Sequence, residues 1–291
     1  MPMSNIAFIG TGVMGAPMAG HLATAGHQVT VYNRSPAKAG AWAKQYGGQA
    51  AASPLEAVRD ADVLITCVGN DADLDALLLQ NDEVIRALGS GGMIIDHTTV
   101  SARISRSLAD AAGQFDVEFV DAPVSGGQAG AEKGALSIMC GARSDAAFAR
   151  AAEMVKPYAA RTVHVGGPGA GQQTKMVNQI AIAGVLQGLS EALRFAQASQ
   201  LDLERVFEAI SGGAAQSWQM VNRWQSMSED RFDFGFAVDW MRKDLGLALD
   251  EAKQNGALLP VAALVDQFYA EVQKMGGSRQ DTSALVRRLP K

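Results

Sequence analysis

Three stretches of the chain carry residues whose type and spacing can do chemistry. The first is GTGVMG, which places Gly10, Gly12 and Gly15 in the order G-x-G-x-x-G, with Val13 and Met14 between the last two. It follows the strand-like NIAFIG and opens a helical pattern that ends at Gly26. In that setting the first glycine permits a tight turn, the second lets backbone approach a pyrophosphate, and the third allows a helix to pack closely on a strand. The helix N-terminus then offers its N–H groups to the anion. The second stretch, DAPVSGG, ends in Ser125, Gly126 and Gly127. Two successive glycines let backbone N–H groups converge on an anion such as a carboxylate, and the serine hydroxyl adds a donor. The third is GAGQQTKMVNQ, in which Lys175 is the only Asp, Glu, Lys or Arg between Arg161 and Glu191. A lone ammonium at the head of an apolar run either snorkels or stands where its charge and proton are needed. Asn178 lies three residues on, so a helix presents both from one face.

The strand after the glycine motif, QVTVYN, ends at Asn33, where a site for NAD usually carries an acid for the ribose hydroxyls. Here Asn33, Arg34 and Ser35 follow instead. An acid repels a 2′-phosphate, whereas the arginine fork pairs with one and the serine donates to it. The expected cofactor is therefore NADP, with NAD as the alternative.

These residues need elements to hold them. Seven β-rich runs occur before about residue 165: NIAFIG, HQVTVYN, DVLITCV, GMIIDHT, VEFVDAPV, ALSIMCG and TVHVGG. Several are nearly continuous apolar segments, as in strands covered on both faces, and helical patterns separate them. The expected fold is an α/β Rossmann-type doubly wound sheet, residues 1–165, followed by an all-α domain, residues 166–291, with the boundary in the glycine-rich Gly166–Gly171. A helix is expected from about Gly171 to Ala198. Its middle is apolar nearly all round, which calls for central burial and a second copy of the chain against it, as a homodimer or homotetramer.

Composition narrows the classes. At 291 residues, with 48% hydrophobic and 19% charged residues, the chain suits one large domain or two. A net charge of −5 argues against nucleic acid or an anionic membrane as the main partner. Cys67 and Cys140 both sit in strand-like runs and are expected as buried thiols, and the N-terminus shows no signal-peptide pattern, so the expected compartment is the cytoplasm. The four histidines, His21, His27, His97 and His164, have no metal-type spacing, so no metal is expected and His97 is read as structural.

Four motifs in order, GTGVMGAPMA, DAPVSGG, GAGQQTKMVNQ and WMRKDLGLA, resemble the β-hydroxyacid dehydrogenase family over nearly the whole chain. That family includes 3-hydroxyisobutyrate dehydrogenases and tartronate semialdehyde and glyoxylate reductases. The resemblance implies that Lys175 is the catalytic acid/base and that Asn178 helps orient a small carboxylate-bearing substrate. It implies that Lys243 lies near the nicotinamide end of the cofactor, that Thr99 contacts the cofactor, and that Trp218 and Phe232 line the substrate pocket. Thr99 could instead be only a helix cap. The family pattern usually continues with a second asparagine where this chain has Gln179. An imine reductase has a similar fold but generally lacks the lysine, and a 6-phosphogluconate dehydrogenase calls for a basic cluster not evident here. A noncatalytic dinucleotide-binding module would have no need of Lys175, Asn178 and the SGG loop together.

Overall fold

The computed structural model describes residues 3–290, and the chain divides into two compact units, Met1–Lys175 and Met176–Lys291. The first is built on a nine-stranded sheet: β1 (Asn5–Ile9), β2 (Gln28–Tyr32), β3 (Gln49–Ala50), β4 (Val63–Thr66), β5 (Met93–Asp96), β6 (Glu118–Asp121), β7 (Val124–Ser125), β8 (Leu136–Ala142) and β9 (Ala159–Gly166). The path β3-β2-β1-β4-β5-β6 is parallel throughout, β8 joins β6 antiparallel, and β7 and β9 both pair with β8. The chain runs outward from β1 to β3 on one side and resumes with β4 on the other. The crevice above the ends of β1 and β4 is therefore the switch point where such sheets bind ligands.

The strands show why they are strands. Along β1, Ile6 and Phe8 enter one hydrophobic cluster and Ala7 and Ile9 enter the other, the period of two that a pleated strand imposes. All four residues of β4 and of β5 are buried, so both faces are covered. A side chain such as Phe8 or Leu64, taken wholly out of water, contributes about 1.5–3 kcal/mol.

Polar groups at the ends of the central strands are buried with partners. Asp96 Oδ1 accepts from Thr66 Oγ1 at 2.7 Å and from the Thr98 N–H at 3.0 Å, while Oδ2 has no hydrogen-bond partner among the described residues. Burial outweighs those bonds and pushes the carboxyl up to about 7. His97 is held at both nitrogens, by the Ala122 carbonyl at 2.6 Å and the Tyr158 hydroxyl at 2.8 Å. The carbonyl can only accept, which assigns the ring proton to Nδ1. Burial pulls its pKa down to about 4, so the ring is neutral and committed to the core. Cys67 and Cys140 are not joined in a disulfide, and burial raises the Cys140 thiol to about 12.

The second unit is helical. Leu186, Leu189 and Leu193 of the helix Ala170–Ala198 share a core with Trp224 and Met227 of Trp218–Ser228, Met241 and Leu245 of Val238–Asn255, and Val265, Tyr269 and Val272 of Pro260–Lys274. A 3-10 segment, Thr282–Arg288, adds Leu285 and Val286, and the Tyr269 hydroxyl donates to the Thr282 carbonyl at 3.1 Å. Among the described residues no helix is long and apolar enough to cross a membrane.

Candidate active site

The glycine loop joins β1 to the helix Gly15–Thr24, and its three glycines stand in different surroundings. Gly10 has φ 103°, and a Cβ there would collide with the Cys67 carbonyl oxygen. A Cβ on Gly15 would collide with the Gly10 carbonyl oxygen and meet the Phe8 ring. On Gly12 it would meet nothing within 4 Å. Two glycines are thus fixed by the protein, and the third faces open space as a surface for a dinucleotide requires. The helix's N-cap, Met14, places no side-chain cap on the first turn.

Asn33 is brought against this loop: its Oδ1 accepts from the Thr11 N–H at 3.1 Å and its Nδ2 donates to the Ser35 carbonyl at 3.3 Å. Arg34 is 82% exposed and pairs with Asp73 at 2.9 Å. Ser35 is the N-cap of Pro36–Tyr46 but makes no side-chain cap bond. An exposed arginine, a serine hydroxyl and a helix N-terminus are therefore adjacent at the end of β2.

The start of the helix Ala170–Ala198 is seated by a buried carboxylate. Asp121, the last residue of β6, accepts from the Gly169 N–H at 2.7 Å and the Gln172 N–H at 3.0 Å. Desolvation raises its pKa to about 6 against the pull of these bonds. The approach is so close that a Cβ on Gly171 would run into the Met139 carbonyl, and one on Gly141 into Asp121 itself. Gln172 donates from Nε2 to the Thr98 carbonyl at 2.7 Å and accepts from the Val100 N–H at 3.1 Å. It thereby holds the segment around Thr99. Ser101, not Thr99, caps the helix Ala102–Gly113, through the Ile104 N–H at 3.1 Å. Lys175 follows one turn after Gln172 and is 7% exposed. Ser125 ends β7, four residues after Asp121, and Gly126 and Gly127 take φ of 132° and 61°, backbone that favours glycine.

In the helical unit, Asn178 Nδ2 donates to Gln179 Oε1 at 2.7 Å, and Gln179 Nε2 donates to Asp244 Oδ2 at 2.8 Å. Lys243 Nζ lies 3.4 Å from the other Asp244 oxygen, close enough for charge pairing but outside hydrogen-bond geometry. Trp218 is 55% exposed, with the Arg223 guanidinium 5.0 Å from its ring. Phe232 requires a correction. It is 3% exposed in the helical core, and its carbonyl accepts from the Asp281 N–H at 2.9 Å, so within this unit it is a packing residue and not a pocket wall. Sequence reasoning passed over Asp121, Gln172 and Asp244; the first and last stand inside DAPVSGG and KDLG, and burial of a charged side chain beside a glycine motif is the signal they carried.

Comparison with known proteins shows the family. Residues 5–166 match the family model for the NAD binding domain of 6-phosphogluconate dehydrogenase, and residues 169–289 match that for the NAD-binding region of NADP-dependent 3-hydroxyisobutyrate dehydrogenase. The fold and site thus define an oxidoreductase that uses a nicotinamide dinucleotide. An uncharacterised oxidoreductase of Shewanella frigidimarina is 55% identical over 99% of both chains. The 2-hydroxy-3-oxopropionate reductase of Escherichia coli is 33% identical over 98% of this chain and 97% of its own. The structure of Mycobacterium tuberculosis 3-hydroxyisobutyrate dehydrogenase with L-serine superposes with a TM-score of 0.89 at 31% identity, covering 99% of this chain and 100% of that one. The chain belongs to the β-hydroxyacid dehydrogenase family.

Replacing Asp121 with Asn would turn an NH2 group toward one of two backbone donors. Losing a charge-assisted bond and creating that conflict costs about 1.5–3 kcal/mol. Thermal melting of Asp121→Asn should therefore fall by several degrees, at roughly 2–4 °C per kcal/mol for a chain of this size; unchanged melting would remove Asp121 from its seating role.

Proposed function

We propose that the protein is an NADP(H)-preferring dehydrogenase or reductase that interconverts a short β-hydroxy acid and its semialdehyde. The observation that carries the reading is the placement of Lys175, nearly buried, five residues beyond a helix start that a carboxylate holds in place. In this reading Gly10, Gly12, Val13, Met14 and Gly15 hold the pyrophosphate, Thr99 contacts the cofactor, and Lys243 approaches its nicotinamide end. Ser125, Gly126 and Gly127 receive the substrate carboxylate, Asn178 orients the substrate, and Trp218 shields it. The nicotinamide supplies the hydride for reduction and accepts it in oxidation. Lys175 does the proton work: its ammonium stabilises and protonates the developing alkoxide, and its neutral amine takes the proton in the other direction. The names of the Escherichia coli and Mycobacterium tuberculosis relatives support a substrate of this class.

Lys175→Ala should lower kcat by at least ~100-fold while cofactor still binds. Lys175→Arg should rescue little, because arginine keeps the charge but its pKa is too high to exchange a proton near neutral pH. Near-normal turnover by the arginine variant would show that charge alone is needed, and an active alanine variant would exclude the residue.

The preference for NADP rests on Arg34 and Ser35. The exposed Arg34–Asp73 pair is worth no more than about 1 kcal/mol, so a dianionic phosphate can recruit the guanidinium. Arg34→Ala should weaken NADPH binding by roughly tenfold or more and leave NADH nearly unaffected. Equal weakening of both would refute the assignment.

A homodimer is the simplest assembly, with the homotetramer its extension. Val177, Ala181, Val185, Gly188, Ala192 and Phe195 are exposed along one face of the helix Ala170–Ala198, a stripe about 27 Å long at 1.5 Å per residue. Phe195 is 72% exposed and Val177 66%, an unusual cost for a monomer. Light scattering should give at least twice 30.5 kDa, and Phe195→Glu should shift the protein toward single chains. A stable, active monomer at micromolar concentration would disprove it.

A further inference from the structure

Asp71, Asp73 and Asp75 alternate along the segment after β4, and each carboxylate has its own partner. Asp71 accepts from the N–H and hydroxyl of Ser101, and Asp75 accepts from Gln80 Nε2. Asp73 turns to Arg34. Its Oδ1 accepts from Arg34 Nη1 at 2.9 Å, while its Oδ2 accepts from the Gly69 N–H at 3.0 Å. Its own N–H donates to Asn70 Oδ1 at 3.0 Å. The carboxylate is thus fixed to its own loop and its side chain is 20% exposed, whereas the arginine side chain is 82% exposed. β2 and β4 lie on either side of β1, so the pair joins the two flanks of the strand whose end carries the glycine loop, roughly 10 Å apart at the usual strand spacing. The acid that the sequence lacks at the end of β2 is supplied there from 39 positions beyond Arg34.

We infer that Asp73 is a specificity-determining residue: it competes with the 2′-phosphate for Arg34, and so holds the affinities for NADPH and NADH closer together than Arg34 alone would set them. This rests on the proposed role of Arg34 in cofactor choice. A phosphate that reaches the guanidinium either displaces the carboxylate or shares the cation with it, and two anions around one cation oppose each other. NADH brings only a ribose hydroxyl to the end of β2, which leaves the pair intact. The carboxylate therefore acts against one cofactor and not the other. Gly69 and Asn70 hold Asp73 in place, so the movable member of the pair is the exposed arginine. Asparagine at this position has nearly the same shape. Its carbonyl oxygen still accepts from the Gly69 N–H and its NH2 replaces the oxygen that faces Arg34, so the charge is removed while the loop is retained.

The test measures dissociation constants of NADPH, NADH and adenosine 2′,5′-bisphosphate by titration calorimetry on the whole protein, for the wild type, Asp73→Asn, Arg34→Ala and the double variant. Asp73→Asn should tighten NADPH and the bisphosphate by roughly three- to fivefold, the size of one exposed ion pair, and leave NADH within about twofold. In the Arg34→Ala background the same substitution should gain less than about twofold, because the contested cation is gone. Melting temperatures report the fold of each variant, and Asp73→Ala replaces the asparagine variant if that one unfolds. An unchanged ratio of NADPH to NADH affinity in Asp73→Asn would overturn the inference. So would weaker NADPH binding, the result expected if the carboxylate pre-orders the arginine for the phosphate, and so would an equal gain with and without Arg34. Arg34→Ala that weakens both cofactors alike would overturn the parent reading and the inference with it; a selective Arg34→Ala beside a silent Asp73→Asn would overturn the inference alone.

Discussion

The carboxylate of Asp121 is the contact on which the rest of the site depends. It ends a central strand and accepts two N–H groups from the first turn of a helix that begins 49 positions later, so it joins the sheet to the element bearing Lys175. Two effects oppose each other there. Backbone donors favour the charged form, while burial disfavours it, and burial wins in part: the pKa rises to about 6, leaving the group predominantly ionised at neutral pH. Gly141 and Gly171 follow from the same approach, because a side chain at either would separate helix from sheet. Gln172 extends the constraint to the segment that carries Thr99.

The glycine loop divides its labour differently. Gly10 and Gly15 answer to the protein's own backbone, while a Cβ on Gly12 would stand in open space. A single spacing in the sequence thus encodes two requirements of the fold and leaves the third position clear. The Asn33 amide adds a brace from the second strand, which ties the loop's shape to the very residues proposed to choose between cofactors.

Much of this was legible in the sequence, for identifiable reasons. The seven apolar runs appear as strands because buried parallel strands leave a nearly unbroken hydrophobic signature, and the helix expected over Gly171–Ala198 is found at Ala170–Ala198. Lys175 stood out because nothing charged surrounds it. What stayed hidden are contacts between distant positions: Asp121 with Gly169 is separated by 48 residues, Gln179 with Asp244 by 65, and Gln172 with Thr98 by 74. No local pattern reports such pairings. The brief β3 has too few residues to show a period, and Phe232 could not be told from a pocket residue because an aromatic in a helical region has the same signature in either place.

The neighbours Asp96 and His97 give the fold an exchange of protons with its solvent. Asp96 has a folded pKa of about 7 against 3.8 for an ordinary aspartate, so between those values folding takes up a proton, and its contribution to stability is greatest below about 4 and declines as pH rises to 7. His97 has a folded pKa of about 4 against 6.5, so folding expels a proton from it over that interval, and its contribution declines as pH falls. Across most of the mildly acid range the two slopes oppose, one residue absorbing what the next one releases. Asp121, displaced in the same direction as Asp96, tips the sum toward uptake. Two adjacent buried groups of opposite charge type thus act as a proton counterweight: His97 offsets the uptake of one of the two carboxylates, so the folding equilibrium responds to mild acid as if one carboxylate were buried and not two.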